Sequence, residues 1–148
     1  MELIEDSLDI SIDTFLERPQ FCYLANVSQD CEPRVSPLWY LWEDGSIWII
    51  AGTEKSYYQR VLENPPTAIA FMDFDVTTGR VHHVGMRGTS SIVPLDQDRV
   101  ARLLRRYLGD ETDRWDPRFI DIDPDRWHLI RFDPETVVAR DQSFEPSL

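Results

Sequence analysis

The chain has 148 residues, room for one compact domain (1–148) and too few for two of ordinary size. Its 15 Lys+Arg against 27 Asp+Glu leave a formal charge of −12, which repels nucleic-acid phosphates and anionic membrane surfaces and excludes both as natural partners. Hydrophobic residues at 42% and aromatics at 11% supply a real core and exclude global disorder, while no apolar run approaches the roughly 20 residues that span a bilayer.

The start, Met1 to Asp6, is acidic and lacks the basic opening of a signal peptide, so a cytoplasmic location is expected. From Leu8 to Arg18, Leu8, Ile12, Phe15 and Leu16 fall at helical spacing, and Pro19 stops the helix. Phe21 to Val27 reads as a strand, and Ser28 to Pro33 as a polar turn. Arg34 to Trp42 reads as a second strand. Asp44-Gly45 is a tight-turn signal, and Ser46 to Ala51 is a third strand. These three strands are apolar on both faces, so the sheet must be closed on itself or covered. Thr53 can cap a helix running to about Asn64, ended by Pro65-Pro66. Thr67 to Asp73 and the long Arg80 to Val93 are the fourth and fifth strands. Gly85 and Gly88 inside the latter suggest a bulge or a close approach of backbone to a ligand or a partner chain, or else a barrel corner. Asp96 to Leu108 is amphipathic, with Val100, Leu103, Leu104, Tyr107 and Leu108 on one stripe and Gly109 closing it. After an acidic, irregular stretch come a sixth strand from Trp127 to Phe132, a turn at Asp133-Pro134-Glu135, and a short final strand from Thr136 to Ala139. The order does not alternate strand and helix. It argues for a mainly β (α+β) fold, a small closed sheet with peripheral helices, rather than a doubly wound one.

No phosphate-binding glycine loop, serine elbow or paired Cys-x-x-Cys is present. Cys22 and Cys31 make neither a disulfide framework nor a metal cluster. His82 and His83 point to opposite faces of a strand and cannot share one metal, and no metal site is expected. Seventeen aspartates make carboxylate pairs inevitable by chance, so none is read as catalytic. One constellation stands out in this acidic chain. Arg34 opens the second strand, and Lys55, the only lysine, lies in the first turn of the following helix beside Ser56. Cations, hydroxyls and helix-start N–H groups can together hold a phosphate; equally, Arg34 and Lys55 can simply balance Glu32 and Glu54.

Pro33-Arg34-Val35-Ser36-Pro37-Leu38-Trp39, then Asp44-Gly45, a hydrophobic strand and Gly52-Thr53, resembles the pyridoxamine 5′-phosphate oxidase-like split-barrel family. Arg87-Gly88-Thr89, Pro94, the helix ending Arg106 to Gly109, and Asp133-Pro134-Glu135 with Val137-Val138 extend the likeness over nearly the whole chain. The resemblance implies a six-stranded antiparallel split β-barrel, a two-fold homodimer, and FMN at the dimer interface, with a deazaflavin coenzyme in one branch. It assigns Arg34 to the flavin phosphate, Val35, Ser36, Pro37, Leu38 and Trp39 to the strand along the ring, and Ala51, Gly52 and Thr53 to the ribityl chain and phosphate. Where the family carries Ser-x-Lys, this chain has Lys55-Ser56-Tyr57, so Lys55 from a shifted position or Arg60 from the next turn stands in for the lysine.

Three functions follow. The first is an FMN-dependent oxidoreductase acting on an unidentified small molecule, with Arg87, His82 or Trp39 near the ring. The family's basic C-terminal signature is missing from Asp141 to Pro146, so pyridoxine metabolism is not expected. The second keeps the fold and takes the deazaflavin coenzyme. The third is a non-enzymatic flavin- or haem-binding protein, or an empty barrel.

Overall fold

The computed structural model describes residues 1–147, and everything below concerns those residues. Strands β1 (Glu2–Asp6), β2 (Cys22–Val27), β3 (Pro33–Leu38), β4 (Leu41–Glu43), β5 (Ser46–Gly52), β6 (Pro66–Asp75), β7 (Arg80–Val93) and β8 (Trp127–Asp141) form one sheet. Helices α1 (Ile12–Leu16), α2 (Ser56–Glu63) and α3 (Gln97–Leu108) lie around it. The strand order is β3-β2-β6-β7-β8-β5-β4, with β1 added to β8. All pairings are antiparallel except β1 with β8. Strand β8 is the hub. It pairs with β7 along most of its length, with β5 through its first half and with β1 through its second.

Side chains alternating into the barrel form the main core: Cys22 and Leu24, Ile47 and Ile49, Ile69 and Phe71, Val84 and Met86, Ile130 and Phe132. Helix α1 adds Phe15 and Leu16, both fully buried, and Ser11 caps it by accepting from the Thr14 N–H at 3.1 Å. Helix α3 covers the outer face of β4, β5 and the start of β8, seating Val100, Leu103 and Leu104 on Leu41, Trp48 and Leu129. Asp96 caps it, accepting from the N–H groups of Asp98 and Arg99. The opposite outer face, built by β2, β3, β6, β7 and the end of β8, has no helix on it. Tyr23, Val35 and Met72 stand exposed there, the first two lining a shallow cavity of about 520 Å³.

The split barrel expected from the resemblance is present, with its strands divided differently. The stretch from Arg34 to Trp42 breaks at Trp39-Tyr40 into β3 and β4, because Tyr40 turns inward to become a fully buried core residue. Its hydroxyl donates to the Leu16 carbonyl at 2.8 Å. Asp133-Pro134-Glu135 is not a turn. β8 runs straight through it, and the two expected strands are one. The register passes from Arg87↔Thr136 to Gly88↔Pro134, so Glu135 is an extra residue opposite the Arg87–Gly88 link. This bulge moves the inward positions of β8 from even (Ile130, Phe132) to odd (Val137, Ala139) numbers. Proline, lacking an N–H, is tolerated at such a point. The acidic N-terminal stretch, for which the sequence suggests no element, forms β1. Asp44-Gly45 makes the anticipated tight turn, both residues at positive φ (56° and 71°).

Candidate functional site

Strand β3 presents the candidate residues along about 13 Å of backbone from Arg34 to Leu38. At its first end, Arg34 pairs with Asn26 across the ladder, and Ser36 with Leu24. Helix α2 lies over this end of the barrel and sends Arg60 down among them. The Arg60 Nε donates to the Asn26 Oδ1 at 2.8 Å, and its Nη2 to the Ser36 Oγ at 3.3 Å. Arg60 is only 8% exposed, yet it has no carboxylate partner among the described residues. Burial, and then the charge of nearby Arg34, pull its pKa below the usual arginine value. The Asn26 Nδ2 is buried with no acceptor. Arg34 itself is exposed, held by the Glu32 carboxylate at 2.6 Å and the Pro33 carbonyl at 3.0 Å. Two guanidinium groups near enough to repel, one of them buried, without a carboxylate and bonded to the Ser36 hydroxyl, can hold an anion.

At its other end β3 runs into an apolar pocket of about 410 Å³. Pro37, Leu38 and Trp39 form one wall, Ile49, Ile50 and Trp127 another, and Leu103 and Leu104 of α3 the floor. Trp39 is fixed by a parallel stack on Tyr107, with centroids 4.6 Å apart, and a looser one on Phe119 at 5.7 Å.

The sequence-predicted residues therefore divide. Arg34, Ser36 and Arg60 come together at the polar end, and Pro37, Leu38 and Trp39 line the pocket. Val35 points the opposite way, 64% exposed on the uncovered outer face. Ala51 is wholly inside the core. Gly52 lies against Trp127, and a Cβ there would sit 3.1 Å from the indole and 3.4 Å from the Lys55 Cγ. The helix begins later than expected. Thr53 does not cap it but donates its N–H to the Arg126 carbonyl, and Lys55 is the N-cap, with no side-chain cap bond. Lys55 and Ser56 are both exposed. Of the three residues offered for the ring, Trp39 lines the pocket, Arg87 faces the uncovered outer face, and His82 is buried elsewhere, between Arg18, Asp9 and Asp141. Trp127 and Phe119 were missed, since only tertiary packing brings them to β3. Asn26 was also missed, and its signal was a lone amide inside an otherwise apolar strand.

Gly88 is the close approach expected in the fifth strand, but the neighbour is neither ligand nor partner. A Cβ there would fall 2.1 Å from the Asp133 carbonyl oxygen of the adjacent strand. Gly85 meets nothing tighter than the His83 ring at 3.6 Å.

Among solved structures, a conserved hypothetical protein of Mycobacterium tuberculosis is similar over 93% of this chain and 89% of its own, at 18% identity and TM-score 0.75. An F420 reductase is similar over 88% and 98%, at 25% identity and TM-score 0.67. HutZ, the heme storage protein of Vibrio cholerae, is similar over 89% and 93%, at 16% identity and TM-score 0.69. No curated protein matches the sequence. The model of the pyridoxamine 5′-phosphate oxidase family matches residues 8–139, and the chain belongs to that family.

Proposed function

We propose that the chain is a flavin-type oxidoreductase that binds FMN along β3 and acts on a small molecule in the cytoplasm. The carrying observation is Arg60, a buried arginine with no carboxylate partner among the described residues, set beside Arg34 and Ser36. An anionic phosphate there would relieve the repulsion between two guanidinium groups and give the buried one its counter-charge. In this reading Arg60 and Ser36 hold the phosphate from inside the barrel end, and Arg34 closes on it from the surface after releasing Glu32. The backbone of Ser36 to Leu38 orients the ring, and Trp39 with Trp127 excludes water from it. The bound flavin supplies the electron-transfer chemistry, and the chain supplies position and a dry, low-dielectric wall.

A flavin titration tests this. Arg60→Met should weaken FMN roughly 10- to 100-fold, the range of one or two charge-assisted bonds of ~1.5–3 kcal/mol, and leave riboflavin nearly unaffected. Arg34→Ala should weaken FMN about tenfold. Equal FMN affinity in wild type and Arg60→Met refutes the assignment.

A second reading, the deazaflavin coenzyme in place of FMN, draws support from the likeness to the F420 reductase at 25% identity. The mass and absorbance spectrum of the chromophore that copurifies decide between them. The uncovered outer face, with Tyr23, Val35 and Met72 exposed, supports a homodimer, for which ~2,000 Å² or more of buried surface is the expected scale. Light scattering at micromolar concentration should give twice the chain mass.

A further inference from the structure

Where β8 ends, the structure gathers three ligand-type side chains that the flavin site does not use. His82 of β7 and Asp141 of β8 are paired across the ladder, and Asp9, from the link between β1 and α1, reaches the same point. His82 is 4% exposed, and its Nε2 points between the two carboxylates, 3.8 Å from the Asp9 Oδ1 and 3.7 Å from the Asp141 Oδ2. Both gaps exceed the ~2.7–3.2 Å of an N–H···O bond, so this buried nitrogen has no hydrogen-bond partner among the described residues. The three ligand atoms lie within 4.8 Å of one another. Ligands about 2.1 Å from a tetrahedral ion stand ~3.4 Å apart, so a cation fits once a few tenths of an ångström are closed. Asp9, whose side chain is 75% exposed, is free to close them. The surroundings already aim the other carboxylate. The Asp141 Oδ1 accepts from the Ser143 N–H at 3.0 Å, and the Asp141 N–H donates to the Ser7 Oγ at 3.0 Å, which leaves Oδ2 turned to the ring. A cation on Nε2 requires the ring proton on Nδ1. The contact there, to the Arg18 Nη1, is at 3.5 Å, the outer limit of a hydrogen bond, and Arg18 is already bonded to Asp73, so that tautomer gives up little.

We infer that Asp9, His82 and Asp141 bind one divalent cation of the zinc type, with water completing its shell. One imidazole and two carboxylates suit Zn²⁺ better than Mg²⁺, which takes oxygen ligands and dehydrates reluctantly, and a chain of net charge −12 draws cations in. The sequence excludes a metal shared by His82 and His83. A single histidine meets the need instead, with two carboxylates that only the fold brings to it. The cation acts as a clasp: it ties the β1–α1 link to β7 and to the end of β8. None of the three residues belongs to the flavin site, so the inference stands apart from the function proposed above.

Titration of the chelator-treated chain with Zn²⁺ tests it, in a Cys31→Ser background so that the exposed thiol adds no second site. Calorimetry should find one Zn²⁺ per chain, and Mg²⁺ at the same concentration should not displace it. Asp9→Asn and Asp141→Asn, which keep the size of the side chain and one oxygen, should each weaken Zn²⁺ at least tenfold. His82→Gln should abolish stoichiometric binding, and His83→Gln, on the opposite face of β7, should leave it unchanged. Zn²⁺ at a hundred times its Kd should raise the Tm of the parent by roughly 5–10 °C. At that same concentration the Tm of Asp9→Asn should rise far less. If His82→Gln fails to fold, the two carboxylate variants carry the test by themselves. The inference is overturned if Zn²⁺ does not bind stoichiometrically, if Asp9→Asn and Asp141→Asn bind it as tightly as the parent, or if His83→Gln removes it.

Discussion

Replacing Gly88 by alanine should damage the fold far more than its single methyl suggests. The added Cβ would lie 2.1 Å from the Asp133 carbonyl oxygen, 3.0 Å from its carbon and 3.0 Å from the Pro134 Cα. All three are backbone atoms of the paired strand, so no side chain can swing away. Ordinary contact needs roughly 3.4 Å, and the two strands would have to part by about 1 Å at the bulge. Overpacking of this kind costs about 1–3 kcal/mol, and each ladder hydrogen bond lost beside it adds about 0.5–1.5. A total near 3 kcal/mol corresponds to a fall in Tm of about 10 °C for a chain of this length. Gly85→Ala is the internal control, because its Cβ meets only the His83 ring at ordinary distance, and it should shift Tm by less than about 2 °C. Calorimetry of the two variants beside wild type settles the matter. If Gly88→Ala melts with wild type, the bulge is not the tight crossing described, and the inward switch of β8 has another cause.

Gly52→Ala should keep the fold and weaken FMN several-fold in the same titration, because the new methyl presses on the Trp127 indole at the pocket wall. Burial raises the Cys22 thiol far above its usual value, so a thiol reagent should modify one cysteine per native chain, the exposed Cys31, and two after denaturation. Hydrogen bonds from Arg102 hold the Glu43 carboxyl below its ordinary pKa, against burial, which raises it, and Arg99 adds to the lowering. A depressed folded pKa gives stability that is present above the unfolded value of about 4.3 and is lost as pH falls through the folded one. Chemical denaturation from pH 6 down to 3 should therefore show a shallower acid decline for Glu43→Gln than for wild type.

The elements legible in the sequence were those governed by local rules. Asp44-Gly45 dictates its turn, and the stripe of α3 with Asp96 before it dictates that helix. Thr53 misled because a hydroxyl before a helical stripe reads as a cap, whereas here its N–H is drawn into a bond with Arg126, more than seventy residues away in sequence. Pro134 misled in the same way. Proline with two acids is ordinary turn chemistry, and only the partner strand, with glycine opposite, turns it into a bulge. β1 was invisible because its five residues are all exposed and carry no alternating pattern; its place comes from the edge of β8. In the candidate site, Arg34 and Ser36 were readable from a short motif. The burial of Arg60 was not, since an arginine on a polar helix looks solvated until the barrel end beneath it is seen.

The hub position of β8 bears on how the chain assembles during synthesis. β5 and β7 are joined in the sheet only through β8, and β1 has no other partner. A ribosome that has released everything up to α3 has therefore made two separate pieces, β3-β2-β6-β7 and β5-β4, each with a bare edge and half a core. Closure waits on the last strand to emerge, and its contacts span most of the chain. Such non-local pairing folds slowly and leaves sticky edges exposed meanwhile. Substitutions in β8 should thus reduce the yield of folded protein in the cell more than equally destabilising substitutions in α3, which reaches the sheet as one ready-made helix.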